Sequence, residues 1–421
     1  MPRVRIETYG CSMNKAASEV AAGLLSERGY EISVDDSFDV VIVNTCTVKT
    51  PTETKIIKRL ESLAKENKPV VVAGCLPGTC PGLPERFASF SFVGTNILDL
   101  PEALEGALKG RRLVKIASGG SEPGHRRKRE NPVIGVIPIS QGCLGRCSYC
   151  LVKKARGDLK SFPAEGIVKD AKNALSEGVR EIWLTSQDCG CYGMDTRTNL
   201  PGLLRRVCAL EGEYMIRVGM MNPNHALSFL DELVDAYKNP RVYKFLHVPV
   251  QSGDDIVLKD MNRFYTVKDF TKIVKEFRKE IPKITISTDI IAGFPTEDDV
   301  SFQRSLELLE DIRPDVLNIS RFWVRPGTEA AKMKQLHGRV TNQRSRRVAE
   351  AFNAIALANN RRWIGWEGSV LVSEKGKRGD YCARNYAYKP VILKDKRDIM
   401  GRFLNVRISD ATKNDLRGEI I

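Results

Sequence analysis

The sequence predicts an α/β protein of three units: an N-terminal parallel α/β domain (1–112), a central partial β/α barrel (131–361) and a small C-terminal β-barrel (362–421). Three observations predict it. Short β-branched runs alternate with helical stretches in the first unit, six longer strand-helix beats follow in the second, and short strands split by Gly- and Lys-rich turns make the third. A chain of 421 residues is long enough for two or three separate cores.

In the first unit, strands are expected at 4–8, 40–43 and 70–73, with helices at 14–28 and 53–65. In parallel sheets of this kind, sites gather beyond the carboxyl ends of the strands. Residues 110–132, with Gly119-Gly120 and the basic run His125-Arg126-Arg127-Lys128-Arg129, are expected to be a linker. Strands near 133–139, 180–185, 214–219, 243–249, 284–290 and 315–322 then argue for a partial or complete β/α barrel, with a doubly wound sheet as the alternative. A helix over 339–361 closes it. Strands at 369–373, 381–384, 388–393 and 403–408 suit a five-stranded barrel of about 60 residues.

With 42% hydrophobic and 28% charged residues, the composition excludes a disordered or membrane-spanning chain. No window of about 18 apolar residues and no secretory leader is visible, so a cytoplasmic protein without membrane attachment is expected. The net charge of +14 serves either solubility or attraction to a polyanion. The last 61 residues, 361–421, hold 14 Lys or Arg against 8 Asp or Glu, a surplus whose charge fits RNA, DNA or an anionic surface; RNA is the expected partner and DNA is not. Within them, Arg384-Asn385-Tyr386-Ala387-Tyr388-Lys389-Pro390 sets aromatics among cations, a pattern that either stacks bases or fills a β-barrel core.

The 11 cysteines of a chain expected in a reducing compartment are ligands, reactive thiols or core residues, not disulfides. Cys143, Cys147 and Cys150 are spaced C-x3-C-x2-C directly after the first barrel strand, with Tyr149 beside the last. Three thiolates so placed suit three irons of a 4Fe–4S cluster and leave the fourth open, whereas structural zinc wants four ligands and two-by-two spacing. Cys11, Cys46 and Cys75 each follow a strand of the first sheet almost at once, so three distant cysteines converge on one edge. Cys80, Cys189, Cys191, Cys208 and Cys382 read as core or incidental thiols.

The C-x3-C-x2-C triplet, its tyrosine and its place after the first strand of a βα series resemble the radical S-adenosylmethionine superfamily. The resemblance implies that Cys143, Cys147 and Cys150 hold a catalytic cluster whose open iron binds S-adenosylmethionine, the source of a 5′-deoxyadenosyl radical. Gly10-Cys11-Ser12-Met13-Asn14, Val43-Asn44-Thr45-Cys46-Thr47-Val48 and Ala73-Gly74-Cys75-Leu76-Pro77 are similar to the three motifs of the methylthiotransferase domain, which implies a second 4Fe–4S cluster. The last unit resembles a TRAM-type RNA-binding barrel. Segments at the strand ends look like family signatures: Ser186-Gln187-Asp188, Arg217, the stretch around Gln251, and Asp289 with Gly293-Phe294-Pro295. Tyr149, Gln187, Arg217, Gln251 and Asp289 are therefore candidates for binding the cofactor, although Arg217 and Asp289 serve equally as structural partners.

Among the branches of the family, Ser186-Gln187-Asp188, Lys153-Lys154-Ala155-Arg156-Gly157 and residues 384–390 are most similar to the archaeal and eukaryotic type. Its substrate is N6-threonylcarbamoyladenosine at position 37 of tRNA. The resemblance thus implies a radical methylthiotransferase gripping a tRNA anticodon stem-loop and served by a reductase or ferredoxin-like electron donor. The other branches act on isopentenyladenosine in tRNA or on a ribosomal-protein aspartate. A metal-stabilised RNA-binding protein without catalysis is the reading from another class, and two incomplete triads argue against it.

Overall fold

A run such as Val40-Val41-Ile42-Val43 has no polar face, so it suits only a strand covered on both sides. In the computed structural model, which describes residues 1–421 apart from Asp36, Ser121, Lys377 and Arg378, this run is buried at the centre of the first sheet. That sheet contains β1 (Arg3–Thr8), β2 (Glu31–Ser33), β3 (Val40–Thr45), β4 (Val70–Gly74), β5 (Ser91–Val93) and β6 (Val114–Lys115). All are parallel, in the order β2-β1-β3-β4-β5-β6. Val40 and Ile42 face a core with Val20, Leu25 and Leu104, and Val41 and Val43 face another with Ile56, Leu60 and Phe92. Thr8 pairs with Asn44 and Thr45 with Gly74, so β1, β3 and β4 end nearly level.

The central unit carries β7 (Ile134–Pro138), β8 (Ser140–Gln141), β9 (Lys160–Ser161), β10 (Glu181–Thr185), β11 (Met215–Val218), β12 (Phe245–His247), β13 (Thr285–Ala292) and β14 (Val316–Arg321). Strands β7, β10 and β11 form one parallel set and β12, β13 and β14 another, joined by a bridge between Ile216 and Val242. Among the described residues no ladder joins β7 to β14. The barrel is therefore partial, with six strands and one open side, and the helix Gly338–Arg361 packs against β14.

The N-terminal unit covers that opening. Ala16 of the helix Ser12–Glu27 packs on Ile134, Val136 and Trp183, while Arg325, just beyond β14, donates to the Thr47 carbonyl at 2.6 Å and pairs with Glu53 at 2.8 Å. The stretch 110–132 is more than the expected linker. β6 extends the first sheet, Arg127 pairs with Asp170 at 3.4 Å, and Arg129 reaches Glu19 at 3.5 Å and Glu177 at 3.1 Å. Both arginine side chains are buried, so these two charges tie domains together. A Gly- and Arg-rich stretch looks solvated in sequence because nothing local marks the carboxylates that receive it.

The C-terminal unit is a closed barrel of β15 (Glu367–Lys375), β16 (Tyr381–Asn385), β17 (Pro390–Leu393), β18 (Phe403–Ala411) and β19 (Leu416–Ile420), in the order β15-β16-β17-β19-β18. It docks at the amino-terminal ends of the barrel strands, through the stretch 384–390 that the sequence offered as a base-stacking surface. That expectation is corrected. Tyr388 is buried and donates to Glu181 at 3.1 Å, and the buried Lys389 donates to Asp315 at 2.8 Å and Asn360 at 2.9 Å. Glu181 has no exposed surface and also accepts from Trp183 Nε1 at 2.5 Å and Tyr243 at 3.2 Å. A buried carboxylate demands such donors, and the demand draws the tyrosine inward. Among the described residues, no helix is long and apolar enough to cross a membrane.

Tyr388→Phe removes one donor from a buried carboxylate and should lower stability by about 1–3 kcal/mol. Urea denaturation checks this, and an unchanged midpoint would show that the Glu181 contact carries no weight.

Candidate functional site

Each N-terminal cysteine is placed by a strand end and by a neighbour that lacks bulk. Gly10 has φ +105, and a Cβ there would lie 2.6 Å from Cys46 Sγ. Gly74 has φ +92, and a Cβ there would overlap the Thr45 carbonyl. Only glycine lets Cys11 and Cys75 approach Cys46 this way. Cys11 caps the helix Ser12–Glu27, Cys46 follows β3, and Cys75 opens the helix Cys75–Thr79. Two motif asparagines, both buried, lash the loops together. Asn14 Nδ2 donates to the Tyr9 and Thr45 carbonyls at 2.7 and 2.8 Å, and Asn44 Nδ2 donates to the Asn14 carbonyl at 2.9 Å.

The three thiols feel one another. Burial pushes the Cys46 thiol up to about 11, with Cys11 and Cys75 adding to the rise. A thiol that burial keeps neutral, as at Cys46 and Cys75, becomes a thiolate when a metal replaces its proton. Cys80 packs instead with the apolar core that holds Ile56 and Phe92. Cys189 and Cys208 lie in the barrel core, as the sequence suggested.

The second triad sits on the loop after β7 and β8. The short pairing of β8 with β9 pins this loop, and Gly142, at φ +76, turns where a Cβ would overlap the Asp158 carbonyl. Backbone N–H groups already point at sulfur: Gly145 donates to Cys143 Sγ at 3.2 Å and Val152 to Cys150 Sγ at 3.4 Å. Arg263 Nη1 donates to Cys147 Sγ at 3.2 Å. Hydrogen bonds of this kind stabilise and tune thiolate-held iron. Tyr149 meets Phe294 edge-on at 6.4 Å and walls one side.

The loops after β10 and β11 close against Cys143. Asp188, fully buried, binds His225 Nδ1 at 2.7 Å and accepts from the backbone N–H groups of Gly190 and Asn222 at 2.9 and 3.1 Å. Burial raises its pKa, but His225 and the two backbone groups outweigh that and leave it below the usual carboxylate range. Cys191 lies in the same cluster, its Sγ within 4.8 Å of the Asp188 and His225 ligand atoms. A small cavity beside Cys147 is lined by Asn222, His225, Asn262 and Arg263.

The sequence-derived candidates fall into two groups. Gln187 and Gln251 lie beyond the carboxyl ends of β10 and β12, and Asp289 lies within β13. Gln187 Oε1 is buried without a partner, as is Asn222 Oδ1 beside the cavity. Gln251 holds φ +70 and donates its N–H to the Asp289 carbonyl at 2.8 Å, a left-handed backbone that is costly outside glycine. The Asp289 carboxylate accepts from His247 at 2.9 Å and Asn318 at 2.7 Å. Arg217 differs. Its guanidinium lies over the rings of Trp183, Phe245 and Tyr388 at 5.0, 5.3 and 5.4 Å, turned towards the foot of the barrel, which matches its structural reading.

Sequence reasoning missed Arg156, Asn222, His225 and Arg263. Only Arg156 sat in a motif; the others follow β11 and β12 with no spacing to mark them. The residues fit iron-sulfur and sulfonium chemistry: soft sulfur donors in two sets of three, glycines that leave the loops room, and buried polar atoms without partners.

Residues 137–309 match the Radical SAM superfamily, residues 3–85 the Uncharacterized protein family UPF0004, and residues 361–421 the TRAM domain. A probable threonylcarbamoyladenosine tRNA methylthiotransferase of Pyrococcus horikoshii is 45% identical over 428 residues, covering 100% of both chains. The Homo sapiens threonylcarbamoyladenosine tRNA methylthiotransferase is 38% identical over 429 residues, covering 99% of this chain and 74% of its own. Among solved structures, the radical S-adenosylmethionine methyltransferase TsrM of Kitasatospora setae, with cobalamin and a 4Fe–4S cluster bound, aligns with a TM-score of 0.59. It is 17% identical and covers 78% of this chain and 76% of its own, a likeness of fold. Full-length identity to proteins of one kind, on a fold whose cysteine loop lies within the superfamily match, places this chain in the threonylcarbamoyladenosine tRNA methylthiotransferase family of the radical S-adenosylmethionine superfamily.

Proposed function

We propose that the protein transfers a methylthio group to C2 of N6-threonylcarbamoyladenosine at position 37 of tRNA, with two 4Fe–4S clusters. Cys143, Cys147 and Cys150 hold one and Cys11, Cys46 and Cys75 the other. The observation that carries the reading is a three-cysteine set on each of two adjoining domains, joined where the helix Cys75–Thr79 packs against the helix Val152–Arg156 and Arg156 donates to Asn14 at 2.7 Å. Each set leaves one iron for a ligand that is not protein. When bound, S-adenosylmethionine supplies the radical that removes the C2 hydrogen, and the N-terminal site holds the sulfur to be delivered.

The chain's own residues position and enclose. Tyr149 and Phe294 shield the radical site from water on one side. Gln187 and Asn222 offer unpartnered oxygens to the cationic amino group of the cofactor. Asp289, fixed by His247 and Asn318, presents a carboxylate for a ribose or substrate hydroxyl, and the strained Gln251 backbone holds that loop in place. Arg217 props the floor. Holding the reacting atoms in one pose is worth several kcal/mol of barrier, about 7 or more in the best cases. Exposed Lys394, Lys396, Arg402 and Lys413 of the C-terminal barrel grip the anticodon stem-loop in place of the buried Tyr388 and Lys389. An external one-electron donor of the ferredoxin or reductase kind and a cytoplasmic setting complete the scheme.

Anaerobic reconstitution should load about eight irons per chain, two cubanes of four. Cys147→Ala should abolish formation of 5′-deoxyadenosine. Cys46→Ala should keep that cleavage and lose methylthio transfer, read by mass spectrometry of digested tRNA. Methylthiolated product from Cys46→Ala would remove the two-cluster scheme.

Affinity for tRNA should fall steeply with salt. Lys394→Ala and Lys396→Ala should each flatten the plot of log affinity against log salt by about one unit. Filter binding over a salt series reads this, and a slope identical to that of the parent would move the RNA surface elsewhere.

A further inference from the structure

Arg156 lies six residues beyond Cys150, at the end of the helix Val152–Arg156, yet its side chain serves the other triad. It is 3% exposed. Nη2 donates to Asn14 Oδ1 at 2.7 Å, whereas Nη1 is buried with no aligned acceptor. Among the described residues no carboxylate pairs with it. The helix that ends on Arg156 packs against the helix Cys75–Thr79, which opens on a triad cysteine, and its bond to Asn14, itself bonded to the Thr45 carbonyl beside Cys46, seats the guanidinium against the N-terminal set. A guanidinium this deep, without a counter-charge, is costly. Three thiolates around an iron-sulfur core carry net negative charge and supply it.

The other triad has the same arrangement. Arg263 is buried, forms no carboxylate ion pair among the described residues, and points Nη1 at Cys147 Sγ from 3.2 Å. Each set of thiols is thus matched with one arginine. For the N-terminal set the arginine comes from the opposite domain.

We propose that Arg156 is the counter-ion of the metal group held by Cys11, Cys46 and Cys75, lent across the domain boundary by the radical loop, and that it raises the reduction potential of that centre. The inference rests on the two-cluster reading above. A fixed positive charge stabilises the more negative, reduced state, so its removal makes reduction harder. Because Arg156 shares a short segment with Cys150, it also makes the setting of one centre depend on the position of the other. It is a positioning and tuning residue.

The test uses the full chain with Cys143, Cys147 and Cys150 all changed to Ala, reconstituted anaerobically, so that only the N-terminal centre forms. About four irons are expected in this parent. No iron would overturn the two-cluster reading, and this inference with it. With iron loaded, Arg156→Met should shift the potential, followed by electron paramagnetic resonance during a redox titration, to a more negative value, and Arg156→Lys should restore most of the shift. An unchanged potential in Arg156→Met, or no rescue by lysine, overturns the proposal while leaving the two-cluster reading intact. Should Arg156→Met fail to hold iron, heat denaturation of otherwise wild-type chains decides. In chelated protein, where the arginine is stranded, Arg156→Met should be at least as stable as the parent; in loaded protein the parent with arginine should be the more stable. Equal destabilisation in both states marks a plain structural tie and overturns the proposal.

Discussion

Sulfur needs room, and the room at both sites is made by glycine. At Gly10, Gly74 and Gly142 the backbone takes positive φ and a side chain would strike a cysteine or a neighbouring carbonyl. Each of these residues immediately precedes a cysteine. The loops can therefore bend hard enough to present thiols to a shared point, which a chain with Cβ atoms there could not do without strain. Everything proposed for the chemistry depends on this close approach.

The parallel register does the rest of the placing. β1, β3 and β4 end nearly level, so cysteines separated by long stretches of sequence arrive at one edge. Asn14 and Asn44 then use side-chain amides to bond the Tyr9, Thr45 and Asn14 carbonyls, which ties the strand ends and the first helix together at this edge. On the barrel side, Asp188 binds His225 and two backbone N–H groups and holds the loops after β10 and β11 against Cys143.

The domains are joined by polar contacts at buried positions, and these contacts set where the two sites lie. Ser12 meets Thr185, Arg156 meets Asn14, and Arg325 meets Thr47 and Glu53. All of these bring the N-terminal unit over the open side of the barrel. The C-terminal barrel is anchored at the far end, where Tyr388 and Lys389 answer buried acceptors. The TRAM barrel, fastened to the foot of the central barrel, keeps its exposed lysines at a fixed distance from the loop of Cys143, Cys147 and Cys150. Flexible tethering would not supply that geometry.

Local pattern was enough to read much of this protein. Period and β-branched composition gave the six barrel strands to within a few residues, while the C-x3-C-x2-C spacing and the short distance of Cys11, Cys46 and Cys75 from their strands marked the two candidate sets. Those features are legible because strand ends and ligand spacing are properties of short segments. Short strands such as β2, β5, β6 and β19 escaped notice, since two to five residues carry little periodicity. Partnership between distant segments was not legible at all. Whether Arg127 and Tyr388 face water or a buried carboxylate, and whether Arg156 serves the triad beside it or the one across the cleft, depends on which surfaces meet, and only the tertiary structure decides that.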